Sequence, residues 1–249
     1  MNSWSVFTQP SPNELPALSR DEVHVWQIDL DVDASIYDQL LSAEERDRAL
    51  RFRFARDRDH YTVGRGSMRV LLGGYLGQSP AALRFGYGVH GKPELEAPAG
   101  SNLRFNLSHS HRLALLAVTA ERALGVDLEG VHRDVGDEQI ARRFFSSEEV
   151  AVLLALPEAQ RRAAFFRCWT RKEAYLKARG DGIYYGLHHF AVTLAPDVPA
   201  ALVSNTLEPA EVARWSLAAV PVPHGYEAAV AVEGTGWSLR CHEWRHSSR

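Results

Sequence analysis

The sequence predicts an α+β protein built from two related halves. Three observations predict it. Several short segments alternate apolar and polar residues with period two, as half-buried strands do, while longer segments between them repeat their apolar residues at helical spacing. A pattern also recurs: a strand, an LSAEE helix start and a helix carrying GRGSMR are echoed by a strand, an FSSEE start and a helix carrying WTRKEA. Ser42 to Arg65 and Ser146 to Arg171 span similar distances, so two α+β halves joined near Leu124 account for the echo. A cleft between two halves is where ligand sites concentrate.

The elements follow in order. Residues 1–19 are rich in Pro, Ser and Asn and read as a loose lead-in. Glu22 to Leu30 alternates as a strand. Ser42 with Glu45 three residues on forms a capping box, from which a helix runs through ERDRALRFRFARDRDHY and feeds a second helix, VGRGSMRVLLGGYLG, closed by Gly77 and Pro80. ALRFGYGVHGKPEL reads as strand and turn. LRFNLSHSHRLALLAVT reads as two strands interrupted around Ser108 to Arg112. LGVDLEG is a strand, His132 to Asp137 a loop, and QIARRFF a helix. Ser146 and Glu149 form a second capping box, and the long helix AQRRAAFFRCWTRKEAYLKARG stops at Gly180. Strand patterns lie at His189 to Leu194, Arg214 to Val220 and Tyr226 to Val232, the last two joined by a Pro221–Gly225 turn. The tail after Gly234 carries Trp237 and Trp244 and is otherwise uninformative. The expected division is 1–19 lead-in, 20–123 first half and 124–249 second half.

Composition excludes several classes. With 249 residues, 45% hydrophobic and 24% charged, the chain suits one large globular domain or two small ones. A formal net charge of −3 gives no general case for nucleic-acid binding. The N-terminus lacks a basic start and an apolar core, and no apolar run approaches membrane-spanning length. Cys168 and Cys241 form neither a disulfide framework nor a metal cluster, which points to a reducing, cytoplasmic setting. Among the 28 Lys plus Arg residues, only Lys92, Lys172 and Lys177 are lysines. Each lysine is therefore a marked choice, a compact and adjustable point charge where guanidinium is a permanent planar fork.

The chemistry centres on Leu124 to Gly180. Period two places Asp127 and Glu129 on the same side of their strand. Trp169, Glu173 and Lys177, four residues apart, share one helix face. Three carboxylates on two rigid elements, with a lysine one turn past the third, suit a hard cation held against an anionic substrate. Taken singly, D-x-E is most often a solvated strand face and E-x-x-x-K a surface ion pair. Upstream lie groups suited to phosphate: Arg46 and Arg48 on the first helix, Arg65 and Arg69 on the second, Lys92 in a Gly-Pro turn, and Asn106, Ser108 and His109 at a break between strands. Arg46 to Arg58 also reads as a wet helix face, Lys92 as part of a plain turn, His109 as an interior histidine, and Glu149 as a cap. Mg²⁺ is usually held by one or two carboxylates plus substrate phosphates, so the combination predicts a diphosphate substrate.

These residues, in this order, resemble the Sfp-type 4′-phosphopantetheinyl transferases. GVDLE followed by WTRKEAYLK is similar to the family's paired signature, (I/V)G(I/V)D(I/V)E and W-x-x-K-E-(A/S)-x-x-K. FNLSHS and GKPEL match its other two motifs, and the resemblance covers Glu22 to Val232. It implies a pseudo-dimer of two similar α+β halves with the active site, and coenzyme A, in the cleft between them. It implies Mg²⁺ on Asp127, Glu129 and Glu173. It assigns Lys92, Asn106, Ser108, His109 and, less directly, Arg65 to the coenzyme A phosphates, and Arg48 or Arg46 to the 3′-phosphate. The implied reaction transfers 4′-phosphopantetheine to a serine of an apo acyl or peptidyl carrier protein and releases 3′,5′-ADP. Glu173 then takes the serine proton, with Glu149 the second candidate base, and Lys177 offsets charge on the leaving phosphate. A chain with one complete cleft implies a monomer. Two other classes use the same residues: a metal-dependent hydrolase of coenzyme A or a related nucleotide diphosphate, and a non-catalytic binder of coenzyme A or carrier protein.

Overall fold

The computed structural model describes residues 4–8, 15–131, 137–181 and 185–246. The loop expected from His132 onward lies outside them, apart from Asp137, which opens a helix. In order come β1 (Ser5–Thr8), β2 (Glu22–Asp29), α1 (Ala43–Leu50), α2 (Ala55–Leu76), β3 (Arg84–Tyr87), β4 (Pro93–Ala97), β5 (Leu103–Ser110), β6 (Leu113–Ala120) and β7 (Leu124–Gly130). Then follow α3 (Asp137–Phe144), α4 (Ser147–Ala155), α5 (Glu158–Arg179), β8 (Phe190–Val192), β9 (Leu202–Asn205), α6 (Glu211–Arg214), β10 (Trp215–Ala219), β11 (Tyr226–Glu233) and β12 (Ser238–Arg245). No helix among the described residues is long and apolar enough to cross a membrane.

The architecture is α+β with two helix-backed sheets. One sheet has the order β1-β12-β2-β6-β5, the other β10-β11-β7. Strand alternation decides what each face meets. On β2, Trp26 and Ile28 point to α2 and join Val63, Met68, Leu71 and Leu72, while Val23 and Val25 point the other way. Those two meet Leu124, Val126 and Leu128 of β7 and Val230 and Val232 of β11, so the sheets pack on each other through their second faces. The outer face of the smaller sheet buries Leu217, Ala229 and Ala231 against Phe165, Tyr175 and Leu176 of α5. That same alternation turns Gly125, Asp127 and Glu129 toward α5.

Both expected capping boxes are present. Ser42 Oγ accepts from Glu45 N and Ser146 Oγ from Glu149 N, each glutamate reciprocating to its serine's backbone N–H. The arginine-rich run differs from expectation, since it breaks at residues 51–54 into α1 and α2. Phe52 packs on Tyr61 with ring centroids 5.4 Å apart. On one continuous helix these two positions would fall on opposite faces, so the break is what brings them together.

The tail also corrects the expected division. Residues 238–245 form β12, parallel to both β1 and β2, which places the end of the chain inside the first half's sheet rather than the second's. Trp244 lies edge-on to Trp26 at 6.1 Å, fully buried in the core under α2, and its indole N–H donates to Tyr37 Oη at 3.2 Å. Burying such a ring contributes roughly 2–3 kcal/mol, which is why a strand remote in sequence docks there.

Candidate active site

The site forms where β7 meets α5, and a glycine permits the meeting. A Cβ on Gly125 would lie 2.3 Å from both Ala174 O and Ala178 N, so only glycine lets the α5 backbone approach β7 this closely. The approach brings Lys177 Nζ within 2.5 Å of Asp127 Oδ1 and 3.1 Å of Ser108 Oγ. Lys177 thus pairs with Asp127 across the cleft rather than with Glu173 along its own helix. Asp127 is buried, and Ser108 Oγ donates to the same Oδ1 at 2.9 Å. Glu173 stands one turn before Lys177. Burial first and the Asp127 charge second push its carboxyl up to about 7, against the pull of Lys177, with Glu129 adding to the rise. Three carboxylates therefore share this space.

Across the seam, β5 and β7 are joined by side chains. Asn106 Oδ1 accepts from Val126 N at 2.8 Å, Ser108 donates to Asp127, and Ser110 Oγ donates to Glu129 Oε2 at 3.1 Å while accepting from Gly130 N at 3.0 Å. Ser108 and His109 lie inside β5, in register with Leu115 and Ala114 of β6, and the turn is only His111 and Arg112. The expected break with exposed N–H groups is absent because the hairpin stays paired to Ser110. Asn106, expected on phosphate, instead spends its carbonyl on the β7 backbone and is buried.

His109 alternates outward from β5 into a groove of about 520 Å³, whose walls include Arg48, His60, Tyr61, Gly91 and Pro93. Its ring is solvent-facing, yet the concave wall around it, then the Lys177 ammonium, hold its pKa below the ordinary histidine value. Arg48 lies over the Tyr61 ring at 5.6 Å, and the Tyr61 hydroxyl is buried without a hydrogen-bond partner among the described residues. Arg46 donates to Leu41 O at 2.7 Å, which leaves Arg48 as the arginine of α1 that faces the groove.

Three further residues expected in the site are already engaged. Lys92 Nζ points away from the groove and donates to Leu124 O (2.8 Å) and Lys177 O (2.7 Å). Arg65 reaches the groove wall, but its Nε is committed to buried Glu45 at 2.6 Å and its terminal nitrogen to Tyr87 Oη at 2.9 Å. Glu149 is 2% exposed; it caps α4, accepts from Val192 N at 2.7 Å and pairs with Lys172 at 2.7 Å, so its carboxylate is saturated away from the cleft. Sequence reading missed Gly125, Ser110 and Tyr61. A glycine inside the strand run LGVDLEG is a signal of close backbone approach; Ser110 and Tyr61 carried no such signal.

The donor set fits a hard cation on one observation. Asp127 Oδ2 and Glu173 Oε1 are both buried without a hydrogen-bond partner among the described residues. Two such carboxylate oxygens beside each other are costly unless a cation or proton joins them. As the side chains stand, no three metal-ligating groups among the described residues enclose an ion, and Lys177 occupies Asp127 Oδ1.

Residues 123–231 match the family described as the 4′-phosphopantetheinyl transferase superfamily, and residues 29–121 the one described as 4′-phosphopantetheinyl transferase, N-terminal. The chain is 46% identical over 232 residues to 4′-phosphopantetheinyl transferase HetI of Nostoc sp., covering 92% of this chain and 94% of that protein. It is 34% identical over 157 residues to a 4′-phosphopantetheinyl transferase of Bacillus subtilis, covering 63% and 68%. It is 30% identical over 157 residues to 4′-phosphopantetheinyl transferase Sfp of Bacillus subtilis strain 168, again covering 63% and 68%.

Proposed function

This chain belongs to the 4′-phosphopantetheinyl transferase superfamily, and from that premise we propose how its cleft is used. The enzyme transfers 4′-phosphopantetheine from coenzyme A to a carrier protein. The nucleotide lies in the groove between α2, the β3–β4 turn and β5, with Arg48 and the Tyr61 hydroxyl toward the 3′-phosphate. The diphosphate reaches the seam, where the Lys177 ammonium and the outward-facing His109 stand beside Ser108. Asp127, Glu129 and Glu173 would hold Mg²⁺, which supplies charge neutralisation on the diphosphate. The single observation that carries this reading is the pair of orphaned carboxylate oxygens, on Asp127 and Glu173, next to a lysine and a groove.

The reaction follows from the residues. The carrier serine oxygen bonds to the β-phosphorus, the bond from that phosphorus to the bridging oxygen breaks, and 3′,5′-ADP leaves. Glu173, one turn before Lys177 on the cleft face of α5, stands where it can take the serine proton, directly or through a water. Lys177 offsets the charge that grows on the departing phosphate. His109, facing the groove from β5, donates a ring N–H to a phosphate oxygen. Positioning and electrostatics supply most of the rate. One chain contains the whole cleft, which supports a monomer, and a cytoplasmic setting accords with the two buried free cysteines.

The test is to incubate the protein with coenzyme A, Mg²⁺ and an apo acyl or peptidyl carrier protein, then weigh the carrier by mass spectrometry. A gain of one phosphopantetheine is expected, and omitting Mg²⁺ should suppress it. Free phosphopantetheine with an unmodified carrier would favour the hydrolase instead; binding without turnover would leave only a binder.

A further inference from the structure

Lys92 was expected on phosphate and is found elsewhere, and where it is found suggests a different task. It sits in the β3–β4 turn between Gly91 and Pro93, both of which line the groove, while its own side chain turns to the opposite side. Its ammonium donates to two carbonyls of the other half: Leu124 O, the first residue of β7, and Lys177 O, in the last turn of α5. The final carbonyls of a helix lack intrahelical partners and carry the negative end of its dipole. The C-cap N–H of Gly180 donates to Leu176 O, and the next carbonyl along is the one that Lys92 takes.

We propose that Lys92 is a positioning residue, a staple from the first half that fixes the α5 terminus against β7 and so holds Lys177 on Asp127. The two backbones that it joins are those whose side chains make that pair. β7 runs from Leu124 to Asp127 in three residues, and Lys177 contributes both the bonded carbonyl and the ammonium in the cleft. Gly125 brings the two elements into contact, and two directed bonds from one ammonium tie the end of α5 to the start of β7. Arginine, the ordinary base of this chain, would bring a bulkier planar group to a place where a compact ammonium sits between two backbones. Burial pushes the Lys92 pKa down to about 8, so the ammonium is still charged at pH 7 and is lost as the pH rises past 8. In catalysis the staple acts through Lys177, whose ammonium counts most as charge grows on the departing phosphate, so the chemical step suffers more than nucleotide affinity.

The proposal rests on the transferase reading for its kinetics but not for its structural half. Two variants are made, Lys92→Met and the milder Lys92→Gln, which keeps one donor and protects the test if the first fails to fold. Hydrogen exchange of the 174–180 amides should be accelerated at least tenfold in either variant relative to the rest of α5. Unchanged exchange there would overturn the staple whatever the activity. In carrier-modification assays at saturating coenzyme A, kcat should fall about tenfold in Lys92→Gln, with KM for coenzyme A changed less than twofold. Combined with Lys177→Met, the Lys92 substitution should cost little more, because its effect runs through Lys177. Full additivity of the two losses, or a rise in KM with kcat intact, would overturn the positioning role. Wild-type protein that fails to modify any carrier while exchange behaves as expected would sink the transferase reading and leave the staple standing.

Discussion

Ser42–Glu45 in the first half and Ser146–Glu149 in the second open their helices with the same box, and each glutamate then reaches to the next long helix. Glu45 is buried and holds two guanidinium groups, Arg65 at 2.6 Å and Arg69 at 2.7 Å. Glu149 is buried and holds one ammonium, Lys172, which is 0% exposed and also donates to Leu187 O and Phe190 O. The halves therefore share a device that locks the long helix to the helix before it. They diverge one residue later. After Arg69 comes Val70, at the edge of the core, and four residues on stands Gly74. After Lys172 comes Glu173, and four residues on stands Lys177. The comparison teaches that the lock is common architecture and that chemistry was placed on only one of the two locked helices.

The largest expected effect tests the lock itself. Lys172→Met leaves Glu149 buried with no cation, which costs about 3–5 kcal/mol and should lower the thermal midpoint by about 10 °C. Arg69→Met leaves Arg65 on Glu45 and should cost clearly less. Equal losses in calorimetry would mean that the two glutamates do not depend on their partners in the way the geometry suggests.

The asymmetry in chemistry comes next. Asp127→Ala or Glu173→Ala should lower transfer at least a hundredfold, about 2.7 kcal/mol of barrier, with circular dichroism unchanged. Val70→Thr, at the corresponding place on α2, should leave the rate within twofold. A Glu173 variant that keeps near-normal rate at limiting Mg²⁺ would remove the proposed cation site.

Arg48→Ala probes what the first half does contribute. A charge-assisted contact to phosphate is worth roughly 1.5–3 kcal/mol. Wild type should prefer coenzyme A over its 3′-dephospho form by about ten- to a hundredfold, and the variant should not discriminate. Measured affinities that keep the full preference would move the assignment to another groove residue, His60 or Arg56 first.

Lys177→Arg is the sharper test of the lysine. Its Nζ bonds Asp127 and Ser108 together from a side chain that is 31% exposed. Guanidinium is bulkier and spreads its charge over a plane, so single-turnover transfer should slow about tenfold, near 1.4 kcal/mol. Equal rates would show that any cation suffices there.

The smallest effect has the opposite sign. The Glu173 pKa is raised in the fold to about 7 from 4.5, so between those values the unfolded chain binds fewer protons than the folded one. Stability from this group is present below pH 4.5 and is lost as pH rises to 7. Without Mg²⁺ at pH 8, Glu173→Gln should therefore be more stable than wild type, by about 1 kcal/mol after allowing for partial exposure, or about 2–4 °C. Added Mg²⁺ should raise the midpoint of wild type and not of the variant. A variant less stable than wild type at pH 8 would mean that the carboxylate is not strained in the metal-free cleft.

Much of the site was legible because its parts are local. Period two set Asp127 and Glu129 on one side of β7, and spacing of four set Glu173 and Lys177 on one side of α5. The two serine caps were legible for the same reason, since Ser42 with Glu45 and Ser146 with Glu149 complete their bonds within three residues. The hydrogen bonds of Lys92, Asn106 and Arg65 were not legible, because residue type and turn chemistry say that a group can bind phosphate, not what already occupies it. Their partners lie 85, 20 and 20 residues away, at Lys177, Val126 and Glu45.

By itself, then, the sequence determined the inner strands, the long helices and their caps, the two-half plan and the carboxylate pattern, all of which follow from short-range periodicity and hydrogen bonding. Tertiary structure alone decided where the three lysines went. One is buried under a cap, one staples the halves and one faces the cleft, although all three were equally marked choices in an arginine-rich chain. It also decided that the last strand, β12, crosses back to complete the first sheet. The physical reason is the same in both cases: a side chain's chemistry is encoded locally, but its partner is chosen by which surfaces pack together, and packing is settled by burial summed over the whole chain.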